Sequence, residues 1–276
     1  MKYLITGANG YLGQGITKEL LQLGHEVIAN DVVCSDVEPG SRIIEGNIFE
    51  IERPYQYFDE PDVLVHLAWR DGFNHESDAH FEDLPGHNRF IRKMIDDGIQ
   101  RVCIMGSMHE VGFYEGSINE RTVCNPMNQY GICKNALRQS IQVYAERKNV
   151  DFLWMRGFYI VSNSEKGSSV FSKIIRASKE GKKEFPFTTG QNQYDFLDYD
   201  LFCRYVGAAA SQNRVTGIVN ICSGYPEKLC DVVERFIADN HLDIRLKYGA
   251  FPSRPYDSKA IWGDNKKIQS ILDTED

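Results

Sequence analysis

The sequence has little that would place it in a membrane, on a nucleic acid or in an oxidising compartment. No apolar run reaches the roughly 20 residues that a helical bilayer span needs, and the apolar part of the opening MKYLITGANGYLG is too short for a secretion signal. The net charge of -8 disfavours a general nucleic-acid surface, since that requires a basic face. We therefore predict a cytoplasmic protein with neither a membrane nor a nucleic-acid partner.

Paired cysteines are also lacking. The seven cysteines are odd in number and contain no CxxC spacing, which favours reduced thiols over a disulfide framework or a zinc site. We predict no metal. Hydrophobic residues make up 42% and charged residues 25% of the 276 residues, as in ordinary globular chains. A chain of this length can bury one large core, so we expect one large domain, or a domain with a lobe.

Short apolar runs alternate with longer amphipathic segments through the first 156 residues. The runs are rich in Val, Ile and Leu without polar alternation, as in strands covered on both faces. Strand and helix in succession predict an α/β fold of Rossmann type, a doubly wound parallel sheet. We predict that residues 1–160 form this domain and residues 161–276 a smaller C-terminal lobe. The strand candidates are KYLIT, EVIAN, RIIEG, DVLVHLAW, RVCIMGS and DFLWMRG, and the helix candidates of this region lie at about 11–23, 84–97 and 128–148.

A glycine-rich turn follows the first predicted strand. LITGANGYLGQGI places Gly7, Gly10 and Gly13 at the start of the first helix, where glycines permit a tight turn and close approach to a pyrophosphate. The second predicted strand ends in Asp31, whose carboxylate can bind an adenosine ribose and would repel a ribose phosphate. These residues favour NAD over NADP. The alternative is that Asp31 caps a turn.

The segment NQYGICKNALRQSIQVY carries a tyrosine and a lysine one helical turn apart. Apolar positions at helical spacing place Tyr130 and Lys134 on the same stripe as Leu137 and Ile141. A lysine on a buried stripe is costly unless it is paired or hydrogen-bonded, so a functional role is expected. The alternative is a lysine that extends to solvent past a buried tyrosine.

These segments resemble the extended short-chain dehydrogenase/reductase family, in the branch that acts on nucleotide-activated sugars. TGANGYLG, VHLAW, Ser107 and the Tyr130-x-x-x-Lys134 pair carry the resemblance. It continues through YDFLDYDLF, GIVNICSG and RPYDSKAIWGD, and so spans nearly the whole chain.

The resemblance implies a set of catalytic roles. Tyr130 would be the general acid/base, Lys134 would hold the nicotinamide ribose and favour tyrosinate, and Ser107 would bind the reacting sugar oxygen. It also implies a homodimer that pairs through the helices near 84–97 and 128–148. The expected NAD contacts are Gly7, Asn9, Gly10, Tyr11, Leu12, Gly13, Asp31, Asn47, Ile48, Leu67, Ala68, Tyr130 and Lys134.

Several positions depart from the family pattern and bear on the substrate. Sugar dehydratases carry an Asp-Glu pair where this chain has Met108-His109, and methionine cannot transfer a proton, so elimination is disfavoured. His109 could shuttle a proton in an epimerisation, or it could hydrogen-bond substrate. Tyr159 stands where the family often has Asn near the nucleotide diphosphate. Arg254 is the expected diphosphate contact, with a surface arginine as the alternative.

We therefore predict an NAD(H)-dependent oxidoreductase acting at C4 of a nucleotide-diphosphate 6-deoxy sugar, with 4-keto reduction slightly favoured. One alternative is a nucleotide-sugar 4-epimerase that works through a bound 4-keto intermediate. Another is a non-catalytic dinucleotide-binding scaffold or sensor that keeps the fold without the chemistry.

Overall fold

The computed structural model describes residues 1–165, 167, 169–252 and 258–273. Its strands are β1 (Lys2–Thr6), β2 (Glu26–Asp31), β3 (Arg42–Glu45), β4 (Val63–His66), β5 (Arg101–Ser107), β6 (Gly116–Ile118), β7 (Asp151–Gly157), β8 (Tyr159–Val161), β9 (Glu184–Pro186), β10 (Gln193–Asp198), β11 (Gly217–Ile221), β12 (Pro226–Lys228), β13 (Arg245–Lys247) and β14 (Ala260–Gly263). Its helices are α1 (Tyr11–Gln22), α2 (Pro54–Tyr57), α3 (Ala79–Asp97), α4 (Gln129–Lys148), α5 (Val170–Lys179), α6 (Tyr199–Ser211), α7 (Leu229–Asp239) and α8 (Lys266–Leu272).

Seven parallel strands form the main sheet, in the order β3-β2-β1-β4-β5-β7-β11. The predicted α/β fold of Rossmann type is confirmed. The strand order reverses between β1 and β4, and ligands of such sheets bind at the carboxyl ends of the strands beside this reversal. The glycine turn that follows β1 and the HLAW segment that ends β4 both lie at that place.

Helices cover both faces of the sheet, which explains the unbroken apolar character of its strands. On one face α1, α6 and α8 bury side chains such as Ile16, Phe202 and Ile268 against the sheet. On the other face α3 and α4 do so with side chains such as Phe90 and Leu137.

The predicted boundary at residue 160 needs correction. Strand β11 lies after it in the chain but pairs in parallel with β7 and extends the main sheet. Helix α6 packs on that sheet through Phe202 and Val206. In the other direction, β6 precedes the boundary but pairs with β14 in the second sheet, ordered β12-β10-β14-β6. The reason is burial, because Val219 and Ile221 of β11 complete the apolar core beside β7.

A search of the described ranges found no helix long and apolar enough to cross a bilayer.

Candidate active site

Gly7 in the turn between β1 and α1, and Gly13 in the first turn of α1, lie too close to main-chain atoms to carry a side chain. Gly7 has φ +76°, and a Cβ there would lie 2.7 Å from the main-chain nitrogen of Ala68. A Cβ on Gly13 would lie 2.2 Å from the carbonyl oxygen of Gly7. Gly10 precedes the first turn of α1 and no side chain caps that turn. Free N–H groups at a helix start, beside a backbone that can be approached closely, fit an anionic pyrophosphate.

Asp31 joins this turn to the end of β2. Its Oδ2 accepts a hydrogen bond from the main-chain nitrogen of Asn9 at 3.0 Å, and its Oδ1 accepts one from that of Val32 at 2.8 Å. The carboxylate therefore holds the turn, as the capping alternative predicted. Each oxygen keeps further acceptor capacity, so the same carboxylate can also receive ribose hydroxyl groups.

Tyr11 and Leu12 open α1. The ring of Tyr11 lies 4.6 Å from that of Tyr199, centroid to centroid, and the Tyr199 hydroxyl donates to the Tyr11 carbonyl at 2.6 Å. Leu12 packs against the core of the main sheet. The glycine turn is thus fixed to α6 as well as to the sheet.

The other predicted cofactor contacts lie at the ends of neighbouring strands. Asn47 and Ile48 follow β3, where the Asn47 side chain accepts from the Phe49 nitrogen at 3.1 Å and Ile48 is buried. Leu67 and Ala68 follow β4. All of these segments lie at the carboxyl edge of the sheet, and their contacts with NAD stay a prediction.

Ser107, Tyr130 and Lys134 also meet at this edge. Ser107 is the last residue of β5, and its hydroxyl hydrogen-bonds that of Tyr130. Lys134 is 3% exposed, and its Nζ donates to the carbonyl oxygen of Met105 at 3.0 Å. The alternative of a lysine extending to solvent is therefore wrong. The side chain of Asn128 accepts from the Gly131 nitrogen and caps α4, which fixes where the helix presents its tyrosine.

Burial moves the pKa values of this pair in opposite directions. It raises the pKa of Tyr130 to about 12, and the hydrogen bond with Ser107 opposes that rise. It lowers the pKa of Lys134 to about 7, and the negative charge of Glu110 opposes that fall. At neutral pH the phenol is therefore protonated. The expectation that Lys134 and the positive nicotinamide ring together favour tyrosinate concerns the NAD-bound enzyme and stays a prediction.

Five of the seven histidines lie around this pair, and sequence reasoning assigned a role only to His109. The ring of His75 lies parallel to that of Tyr130, with centroids 5.1 Å apart. His109 lies 4.3 Å from His75, centroid to centroid. His66, His80 and His87 lie behind them. In the sequence, this cluster is indicated by the HLAW segment and the three histidines that follow it. In the described ranges no three His, Cys, Asp or Glu side chains are arranged to hold a metal ion.

Residues 3–222 match the family described as the NAD dependent epimerase/dehydratase family. The chain belongs to this family. The match, together with the glycine turn and Asp31, identifies an NAD-dependent enzyme, and the predicted cofactor is confirmed.

One relative of this family is similar along nearly the whole chain. It is dTDP-6-deoxy-L-talose 4-dehydrogenase (NAD(+)) from Aggregatibacter actinomycetemcomitans, 39% identical over 272 residues, with 95% of this chain and 99% of the relative covered.

Two solved structures of epimerase/dehydratase enzymes share the fold. UDP-N-acetylglucosamine 4-epimerase from Methanobrevibacter ruminantium has a TM-score of 0.84 at 17% identity, covering 98% of this chain and 91% of its own. The dTDP-glucose 4,6-dehydratase DesIV from Streptomyces venezuelae has a TM-score of 0.82 at 18% identity, covering 98% and 90%.

Aromatic rings surround His109, beginning with those of Tyr130 and Tyr159. His109 lies 6.2 Å from Tyr130 and 6.3 Å from Tyr159, centroid to centroid. Burial lowers the pKa of His109 to about 3, and the neighbouring His75 adds to that effect. His109 is therefore neutral and a weak base, which favours hydrogen bonding to substrate over a proton shuttle. Tyr159 also packs on Tyr194, 4.7 Å away. Arg254 lies outside the described residues.

Glu110 anchors the segment that follows Ser107. It is fully buried in a short 3-10 turn after Ser107. Its Oε1 accepts from Arg156 Nε at 2.5 Å, and its Oε2 accepts from the Trp154 indole at 2.8 Å. This ion pair fixes the turn that carries His109 to the neighbouring strand β7.

Proposed function

We propose that the protein interconverts the 4-hydroxyl and 4-keto forms of a dTDP-linked 6-deoxy sugar with net turnover of NAD(H), and that it works as a 4-keto reductase. The observation that carries the proposal is the meeting of Ser107, Tyr130 and Lys134 beside the glycine turn. The similarity to a dTDP-6-deoxy-L-talose 4-dehydrogenase supports both the nucleotide and the sugar class.

The residues present fit NAD. The glycine turn and the start of α1 would receive the pyrophosphate, Asp31 the adenosine ribose, and Lys134 the nicotinamide ribose. Bound NAD(H) supplies the hydride chemistry at C4 of the sugar.

Tyr130 performs the proton transfer. Its hydroxyl is protonated at neutral pH because burial raises its pKa to about 12. A protonated phenol can donate to the oxygen of a 4-ketone, and Ser107 holds that oxygen by a second hydrogen bond. This protonation state supports the reductive direction.

Dehydration requires an acid/base pair at the two positions after Ser107, which Met108 and His109 occupy, while Glu110 is paired with Arg156. Met108 is 7% exposed and packs in an apolar cluster with Val111 and Ile118, and His109 is neutral. Neither side chain can supply the acid/base pair that removes water. The chemistry is therefore confined to C4.

The test is stoichiometric. Incubation with a dTDP-4-keto-6-deoxy sugar should consume one NADH per reduced product. Product formed from a 4-hydroxy sugar without net change in NADH would contradict the proposal and support 4-epimerisation instead.

A matched pair of variants on α4 assigns the proton donor. Tyr130→Phe should lower kcat by about 10²–10⁴-fold, as expected for loss of a general acid, with NAD affinity within about twofold of wild type. Tyr144→Phe is the control, because that hydroxyl bonds Asp96 away from the site. Equal activity of Tyr130→Phe and wild type would remove Tyr130 from the mechanism.

We also propose that two copies pair through α3 and α4. Their outer face carries a groove of about 530 Å³, and Ile132 and Val143 of α4 are 40% and 57% exposed. Sedimentation should show a dimer for wild type and a shift to monomer for Val143→Glu. A monomeric wild-type protein would contradict this pairing.

A further inference from the structure

Trp69 contacts the buried ammonium of Lys134. The Nζ atom lies 3.9 Å from the centroid of the Trp69 ring and 5.9 Å from that of Tyr130. Its hydrogen bond within the described residues goes to a main-chain oxygen rather than to a carboxylate. A cation without a carboxylate partner is stabilised by an aromatic face, and the indole is the most effective face among the side chains.

The indole is held in place on two sides. Its Nε1–H donates to Nδ1 of His80 at 3.0 Å, and Nε2 of His80 contacts the carbonyl oxygen of Asn74 at 2.8 Å. These partners fix His80 as the neutral tautomer with its proton on Nε2. The ring of His87 stacks on the indole at 4.7 Å with an angle of 10° between the planes.

His87 is itself anchored to the sheet. Its Nδ1 lies 2.9 Å from Nε2 of His66, and Nδ1 of His66 lies 2.8 Å from the Thr6 hydroxyl. Burial, followed by the charge of Lys134, lowers the pKa of His66 to about 3. Burial, followed by His66 and then Lys134, also lowers the pKa of His87. Both imidazoles are therefore neutral and pack around the ammonium without repelling it.

We propose that Trp69 is a positioning residue, whose indole face stabilises the charged form of Lys134 and holds its Nζ atom beside Tyr130. The inference rests on the proposed function only in taking Lys134 as the partner of Tyr130. It gives the Trp69 side chain a role of its own. The main chain of the same HLAW segment contacts the glycine turn.

The first test is spectroscopic and needs no substrate. Lys134 should lose its proton near pH 7, because burial lowers its pKa. Titration of the full-length protein, with and without saturating NAD, should then change the tryptophan emission. The change should disappear in Lys134→Met and in Trp69→Phe, and it should persist in Trp262→Phe, whose ring lies in β14.

The second test is the pH profile of turnover. The groups that face Lys134 are Glu110, Tyr130, His66 and His87, and all remain in the Trp69 variants. Loss of the aromatic face should move the basic limb of kcat/KM to lower pH by about one unit in Trp69→Leu, with a smaller shift in Trp69→Phe. The value of kcat should fall by about tenfold in Trp69→Leu.

Three results would overturn the inference. The first is an emission change that survives in Trp69→Phe, and the second is a wild-type protein without an emission change that depends on Lys134. The third is a basic limb at its wild-type position in both Trp69 variants, since a purely structural role would lower stability without moving it. If Trp69→Leu does not fold, Trp69→Phe decides. If no variant turns over a sugar, the proposed function fails. The emission titration still shows whether the Trp69 ring contacts the Lys134 ammonium.

Discussion

The imidazole of His75 lies parallel to the phenol of Tyr130, with an angle of 9° between the ring planes. The Tyr130 main-chain nitrogen also donates to the His75 carbonyl at 3.0 Å. The loop between β4 and α3 is therefore fixed to the helix that carries Tyr130. A Cβ added to Gly167 would lie 3.7 Å from the ring of Phe73 in the same loop, which places the loop beside the segment that precedes α5.

This stacking predicts a catalytic effect of His75. An aromatic pair contributes about 0.5–1.5 kcal/mol beyond area burial, so His75→Ala should lower kcat/KM by up to about tenfold through a less well-held Tyr130. His75→Phe should restore most of the loss, because it keeps the stacked ring. Steady-state kinetics with the 4-keto sugar measure both. Similar losses in the Ala and Phe variants would show that stacking is not the cause.

The carboxyl edge of the sheet could be predicted from sequence because its signals are local. An apolar run defines each strand, glycines mark the tight turn, and a helical stripe brings Tyr130 and Lys134 to one face. The environment of Lys134 could not be predicted in this way. Trp69, His80 and His87 come from the end of β4 and from α3, and only the packing of α3 on the sheet brings their rings together.

Contacts between residues far apart in the chain explain the burial of Glu110 and the corrected domain boundary. Glu110 finds its partner Arg156 46 positions away, so a residue that reads as a loop acid is buried as an ion pair. After β7 the chain passes through the lobe, and only then does strand β11 pair with β7 in the main sheet. A boundary drawn from chain order could not anticipate that pairing.

Asp31 should affect NAD binding through its charge. Asp31→Asn keeps an oxygen that can accept from Asn9 but removes the charged acceptor for ribose hydroxyls. Hydrogen bonds to charged groups contribute about 1.5–3 kcal/mol, so the Kd for NAD should rise by at least about tenfold. The ratio of the Kd for NADP to the Kd for NAD should fall. Calorimetric titration with both dinucleotides measures this. Asp36→Asn, an exposed neighbour, is the control, and an unchanged NAD Kd in Asp31→Asn would exclude the role.

The Glu110–Arg156 pair should be important for stability. Both side chains are fully buried, so Glu110→Gln leaves an uncompensated guanidinium and should lower the free energy of unfolding by about 3–5 kcal/mol. Glu227→Gln breaks an exposed ion pair with Arg235. It should lower the free energy of unfolding by no more than about 1 kcal/mol. Urea denaturation compares the two. Equal losses in these variants would mean that Arg156 finds another partner.

Three histidines with lowered pKa values should make stability depend on pH. The folded-state pKa values of His66 and His109 are lowered to about 3, and that of His87 is also lowered. These groups ionise near pH 6.5 in the unfolded chain, so the unfolded state binds more protons below that pH. Their contribution is present above pH 6.5 and is lost as the pH falls towards 3, by at most about 1.4 kcal/mol per pH unit for each histidine.

A histidine variant isolates this contribution from that of the carboxylates. Between pH 6.5 and 5, His109→Gln should reduce the slope of unfolding free energy against pH by the contribution of one histidine, at most about 1.4 kcal/mol per pH unit. His241→Asn, which replaces an exposed histidine at a left-handed position that asparagine tolerates, is the control. Urea denaturation at half-unit steps gives both slopes. A wild-type slope in His109→Gln would mean that His109 takes up its proton in the folded state, which would reopen its role as a proton shuttle.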